Sequence, residues 1–252
     1  MKDLFTIWKE EEHIAHIHGW DFSHLDGRME EETDFPWDYL AEINQYRTPD
    51  MRLLDIDTGG GEILLSLQHP HELTAATEAY PPNVDLCQKA LLPLGIDFRE
   101  ANGNGPLPFW DGTFDLVLNR HGDYNAEEIF RILKPGGILV MQQVGAENDR
   151  ELVQLLMGGF TPPFPENKLE IAAEKFKNAG FEVLDGQECF RKIRFFDIGA
   201  LVWFARIIEW EFPDCSVDKC KDNLLCAQQI LEKTGFVEGH THRFLLTARK
   251  PK

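Results

Sequence analysis

The stretch LLDIDTGGGE, Leu53 to Glu62, places an acidic residue at the end of an apolar run and three consecutive glycines before an amphipathic segment. Glycine is needed where backbone turns sharply or comes within contact distance of a ligand, because any Cβ would collide there. Asp55, Asp57, Thr58, Gly59, Gly60 and Gly61 are therefore candidate ligand contacts. A dinucleotide fingerprint requires G-x-G-x-x-G or G-x-G-x-x-A, and counting from Gly59 the third required position is Leu64. A phosphate-binding loop of the G-K-S or G-K-T type is also absent. Glu78 follows the glycines by roughly 20 residues, the interval at which nucleotide folds place a carboxylate on a ribose. A carboxylate suits that task because it accepts from two hydroxyls at once. Its neighbour Ala79, and Asn102 with Gly103 further on, extend the same candidate surface.

With these residues in place, the sequence resembles the class I S-adenosylmethionine-dependent methyltransferases. LLDIDTGGGE looks like their first motif, with Asp57 standing where the family usually has the first glycine. Glu78 in LTAATEAYPPN matches the acidic residue that binds both ribose hydroxyls. REANGNGPLPFWDGTFDLV resembles the stretch that meets adenine, which makes Asn102 and Gly103 the adenine-side positions. AEEIFRILKPGGILV carries the L-K-P-G-G sequence, in which Pro135 breaks a helix and Gly136 and Gly137 make the turn. The four features fall in family order over about residues 51 to 145. The resemblance implies S-adenosyl-L-methionine as cofactor, held by Asp55, Asp57, Thr58, Gly59, Gly60, Gly61, Glu78, Ala79, Asn102, Gly103 and Asn119. It also implies a Rossmann-like methyltransferase fold and methylation of an acceptor.

Ligands in open α/β sheets sit at the carboxyl ends of the strands. That rule directs attention to Asn119, Arg120 and His121, which follow the apolar FDLVL run, as candidate catalytic residues. His121 is a candidate general base near neutral pH, and pinning of its loop is the competing reading. Gln142 and Gln143, ending the next apolar run, are candidate substrate contacts. Trp20 joins them from HIHGWDFSHLDGR, a segment expected to act as a lid in which Arg28 could meet the cofactor carboxylate. His13, His16 and His18 lack the helical spacing of a zinc pair, and no metal is expected.

The elements that must position these residues alternate from Met51 onward. Strand candidates are MRLLDI, LTAATE, IDFREA, FDLVLN and GILVMQQV, with helix candidates between them and after the last. Such alternation implies parallel βαβ units. The expected fold is α/β: a doubly wound, mostly parallel seven-stranded sheet with helices on both faces. The whole chain, 1–252, reads as one domain. Within it, 1–48 is an N-terminal helical or lid segment, 51–145 the cofactor-binding half, and 146–252 a C-terminal half completing the sheet with added helices. PWDYLAEINQYRTPD reads as a helix with Pro36 in its first turn. IGALVWFARIIEW reads as a core helix, although Trp203 and Trp210 would also suit an apolar acceptor.

Bulk composition narrows the partner. A formal net charge of −18, from 25 basic and 43 acidic residues, argues against nucleic acid, since phosphate binding needs clustered Lys and Arg. A small-molecule acceptor is the easier partner. RNA or protein methylation within the same fold, and a non-catalytic cofactor-binding module, are the rival readings. No apolar run approaches the roughly 20 residues that span a bilayer, and the five cysteines form no C-x-x-C pair, so a cytoplasmic, membrane-free protein is expected. Oligomeric state has no signature in the sequence.

Overall fold

A computed structural model describes residues 3–16 and 21–252. The strands are β1 (Met29–Glu31), β2 (Leu53–Ile56), β3 (Thr74–Glu78), β4 (Asp97–Glu100), β5 (Phe114–Arg120), β6 (Leu133–Val144), β7 (Glu182–Phe195) and β8 (Val237–Arg249). The helices are α1 (Leu4–Ile14), α2 (Tyr39–Tyr46), α3 (Glu62–Ser66), α4 (Pro81–Ala90), α5 (Ala126–Ile132), α6 (Arg150–Met157), α7 (Leu169–Asn178), α8 (Ile198–Ile207) and α9 (Lys221–Thr234). The sheet order is β1-β7-β8-β6-β5-β2-β3-β4. Strands β4, β3, β2, β5 and β6 pair in parallel, and β8 pairs antiparallel to β6.

The sheet has eight strands, one more than the sequence pattern implied. The extra strand, β1, comes from the N-terminal segment expected to be helical. Met29, Glu30 and Glu31 pair antiparallel with Phe195, Arg194 and Ile193, so an apolar pair and an opposite-charge pair sit cross-strand. Two further boundaries differ from expectation. Asp38, whose carboxylate accepts from the Leu40 and Ala41 amides, caps α2, leaving Pro36 ahead of the helix. The LKPGG segment lies inside β6, where the register shifts between the Leu133 and Ile138 pairings.

Two compact units divide the chain: residues 1–35, 146–165 and 190–242 form one, and 36–145, 166–189 and 243–252 the other. In the first, α8 is nearly all buried, from Ile198 through Ala205, against Leu152, Leu156, Phe195, Phe212 and Leu224. Trp203 is therefore core, packed edge-on to Phe22, and the helix stops at Ile207 before the exposed Trp210. In the second unit every residue of β2 and β3 is buried. That requires both faces of the sheet to be covered, as parallel strands demand. On one face Leu54, Ile56, Val117 and Leu139 pack with Ile129 and Ile132 of α5 and with Ala172 and Phe176 of α7.

Phe176 anchors that layer, stacked on Tyr124 at 5.5 Å and edge-on to Phe181 at 5.3 Å. It is fully buried. Replacing it with Ala leaves a cavity under β2 and β5, and Phe176→Ala is expected to lower unfolding free energy by about 3–5 kcal/mol. Urea denaturation followed by circular dichroism reads this directly; a change below about 1 kcal/mol would contradict the packing described.

Candidate active site

All described site residues treated below, apart from Arg28, belong to the second unit. They lie at or just after the carboxyl ends of β2, β3, β4, β5 and β6, with Trp37 and Tyr39 added from the α2 region. The chain leaves β2 at Asp57, whose φ is +54°. This is the left-handed region that favours glycine and that Asp tolerates better than most residues. The residue type usual there is explained by the turn, and so is its replacement.

Asp57 also does what glycine cannot. Its Oδ2 accepts from the Asp123 amide at 2.8 Å, bridging the β2 turn to the loop after β5. A Cβ at Gly122 would lie 2.4 Å from the Asp57 Cβ, and one at Gly103 would lie 2.1 Å from the Asp123 carbonyl. The loops after β4 and β5 thus meet backbone to backbone, and the loop after β5 lies directly on the Asp57 side chain, approaches that glycine permits. The other carboxylate oxygen of Asp57, Oδ1, is buried with no hydrogen-bond partner.

The next residues are held as firmly. Thr58 donates its hydroxyl to Asp55 at 2.6 Å and its amide to the Thr77 carbonyl at 2.9 Å. Gly59 donates its amide to Glu78 Oε2 at 2.8 Å. Glu78 Oε1 accepts from the Ala79 and Tyr80 amides, each at 2.9 Å, and Asn83 reaches Oε2 at 3.4 Å. Cys87, from α4, donates its thiol to the Gly59 carbonyl at 3.1 Å. Burial raises that thiol to about 12, so it stays a neutral donor. Tyr80 is 56% exposed.

Three carboxylates, from Asp55, Asp57 and Glu78, therefore share one turn. Burial pushes Asp55 up to about 7, against the Thr58 hydroxyl and the Arg120 cation, which favour its charge. Burial and then the Glu78 charge push Asp57 up to about 7, offset by the Asp123 amide. Such perturbed groups in one place make this turn the candidate functional site.

Asn119, at the end of β5, donates to the Ile56 carbonyl at 3.2 Å and the Asp123 carbonyl at 3.0 Å. Gln143 donates to Asn119 Oδ1 and to the Gly122 carbonyl. Both side chains, buried, clamp the loop after β5. Asn102 is exposed; its side chain accepts from Asn104 and lies 3.5 Å from Asp123. Arg120 and His121 face outward, and His121 has a φ of +60°. The sequence pattern did not single out Trp37 or Tyr39. Trp37 donates its indole N–H to Gln142 Oε1 at 2.8 Å, and Gln142 Nε2 lies 3.1 Å from His121 Nε2. The Tyr39 hydroxyl is buried without a hydrogen-bond partner. Tyr39 and Trp37 belong to the α2 region, where only the helical period was readable.

Two expectations change. Arg28 is engaged by Asp197 through two bonds of 2.9 and 2.7 Å and by Glu11 at 2.9 Å within the first unit, so its fork is already filled. Trp20 lies outside the described residues.

The glycine turn, the orphaned Asp57 oxygen and the Glu78 carboxylate suit a ligand with positive charge and paired hydroxyls. A family model described as methyltransferase domain matches residues 54–141, the segment that contains all three. No curated protein matches the chain. Among solved structures, a candidate methyltransferase from Bacillus halodurans C-125 is 17% identical with a TM-score of 0.59, covering 84% of this chain and 99% of its own. The YcgJ protein of Bacillus subtilis is 16% identical at 0.56, covering 85% and 98%. A SAM-dependent methyltransferase from Methanosarcina mazei is 16% identical at 0.50, covering 83% and 97%. At these identities the likeness is one of fold.

The raised Asp57 has a measurable sign. Its folded-state value lies above its unfolded one, so stability is fully present below the ordinary carboxylate range and is lost as pH rises toward 7. Asp57→Asn keeps the acceptor for Asp123 and tolerates the left-handed turn. It is expected to be more stable than wild type by on the order of 1 kcal/mol at pH 8, with the gain vanishing near pH 4. Urea midpoints at the two pH values test this; an equal difference at both would contradict it.

Proposed function

We propose that this protein, whose residues 54–141 match a family model described as methyltransferase domain, transfers a methyl group from S-adenosylmethionine to a small-molecule acceptor. The observation that carries the reading is the glycine turn after β2 with its three carboxylates: Glu78 on the Gly59 amide, Asp55 on the Thr58 hydroxyl and Asp57 on the Asp123 amide. The bound cofactor supplies a methyl group already activated on a sulfonium, so the protein's main task is positioning.

Each residue's part follows from its surroundings. Glu78, fixed by three backbone amides, would take the ribose hydroxyls in exchange for the long Asn83 contact. Asp57 Oδ1, buried and unpaired, together with Asp55 makes the turn favourable for positive charge. Gly59 to Gly61 would bring backbone close to the nucleoside, and Ala79, Asn102 and Gly103 would line its base side. Arg120 and His121 would face the acceptor, and Asn119 and Gln143 hold their loop against the Ile56, Asp123 and Gly122 carbonyls. The acidic balance of the chain, −18 overall, supports an acceptor that is not a polyanion. Among the described residues no helix is long and apolar enough to cross a membrane.

Calorimetric titration with S-adenosylhomocysteine is expected to show one site in the wild type. Glu78→Ala should weaken it at least tenfold, the scale of a lost charged hydrogen bond. No binding by the wild type, or unchanged binding by the variant, would sink the reading. A second measurement uses the two carboxyls near 7. S-adenosylmethionine is cationic at sulfur and S-adenosylhomocysteine is not, so the first should gain more affinity between pH 6 and pH 8, as Asp55 and Asp57 ionise. Parallel pH profiles for the two ligands would separate the carboxylates from charge recognition.

A further inference from the structure

The contact between Gln142 and His121 decides which way a proton can move. An indole N–H only donates, so the Trp37 bond at 2.8 Å forces the Gln142 carbonyl toward Trp37. The Gln142 amide must then face His121, where its Nε2 lies 3.1 Å from the ring Nε2. Two donors cannot share that contact, so His121 Nε2 accepts, and the ring proton sits on Nδ1. The single lone pair of the neutral ring is thereby used. His121 Nδ1 has no hydrogen-bond partner among the described residues. The backbone supports this placement: the His121 amide donates to the Gln142 carbonyl at 2.9 Å, and its left-handed φ of +60° is the strained kind found at functional sites.

Two more donors without acceptors stand nearby. Arg120 is exposed and makes no hydrogen bond or ion pair among the described residues. The Tyr39 hydroxyl is orphaned although the side chain is only 8% exposed. Tyr39 feels both the Asp55 carboxylate and the Arg120 guanidinium, and His121 feels Arg120 and Arg243. A group of donors beside a buried carboxylate matches a ligand with an anionic end and a cationic end.

We infer that Trp37 and Gln142 fix His121 as a neutral Nδ1–H donor, and that His121, Arg120 and Tyr39 together take a carboxylate oxygen of the bound ligand. His121 then positions the ligand and removes no proton from it. The inference rests on the methyltransferase reading. The carboxylate belongs to the amino-acid portion of the cofactor or to the acceptor, and the same three donors serve either.

The test has two parts. In the full chain labelled with 15N-histidine, the ring nitrogens of His121, assigned by comparison with His121→Asn, should report a neutral ring protonated at Nδ1 between pH 6 and pH 8.5. Two cations, Arg243 on β8 and Arg120 on β5, oppose protonation of the ring. Tyr39 on α2 and Asp55 on β2 are the other titratable groups around Arg120. Gln142→Glu should reverse the tautomer, since a carboxylate accepts from Nε2–H. An Nε2–H ring in the wild type, or ordinary titration, overturns the first half.

The second part compares S-adenosylhomocysteine with 5′-methylthioadenosine, which lacks the amino-acid portion. If the cofactor supplies the carboxylate, Arg120→Gln, His121→Phe and Tyr39→Phe each narrow the affinity gap between the two about tenfold. If the acceptor supplies it, that gap is unchanged. In that case the variants instead lose the weak binding of glycine and benzoate seen by saturation-transfer NMR with S-adenosylhomocysteine present. Arg120 is on the surface, so its variant folds. Wild-type binding of S-adenosylhomocysteine with no effect in either comparison overturns the inference alone, and no wild-type binding overturns the function beneath it.

Discussion

The hydrogen bond from the Gly59 amide to the Glu78 carboxylate joins the ends of two neighbouring strands at the point where both must release the chain. Parallel strands end with backbone groups that have no ladder partner, and a buried unpaired group costs about 1–3 kcal/mol. Here the deficit is met by side chains: Glu78 takes three amides, Asp57 a fourth, and Thr58 and Cys87 bridge the turn to β3 and α4. The arrangement leaves negative charge concentrated in a confined place. Electrostatic attraction for a cation and the mechanical fixing of the turn arise from the same three carboxylates.

That double role explains Asp57. Glycine would satisfy the left-handed backbone and leave the loop after β5 untied. Aspartate satisfies the same backbone with modest strain and gains the bridge to Asp123, at the cost of a carboxylate that resists ionisation. Close glycines at 103 and 122 make room for the bridge. The three loops are consequently one unit, and a change at any of these positions is felt at the others.

The parts of this design that depend on local pattern could be read from the chain alone. Apolar runs ending in Asp55, Glu78 and Asn119 announced parallel strands, and the glycine spacing excluded the dinucleotide and phosphate-loop alternatives. What depended on distant partners was silent. Trp37 meets Gln142 across 105 positions, and Arg28 is held by Asp197 across 169; no helical or strand period encodes either contact. Met29 to Glu31 is too short and too charged to advertise an edge strand. Asn119 and Gln143 looked like cleft residues because polar side chains followed apolar ones, and their shared hydrogen bond shows the same pattern arising from a loop clamp.

The order of the strands has a consequence for how the protein is made. β8 lies between β6 and β7, yet it is synthesised after both. Until Val237–Arg249 leaves the ribosome, the edge of β6 and the inner edge of β7 each present a row of unpaired backbone groups. Such edges are templates for pairing with other chains. Any β6 and β7 structure formed during synthesis therefore has two open seams, closed together by the arrival of one strand. A chaperone that shields extended backbone during that interval would protect this fold more than one that shields helices.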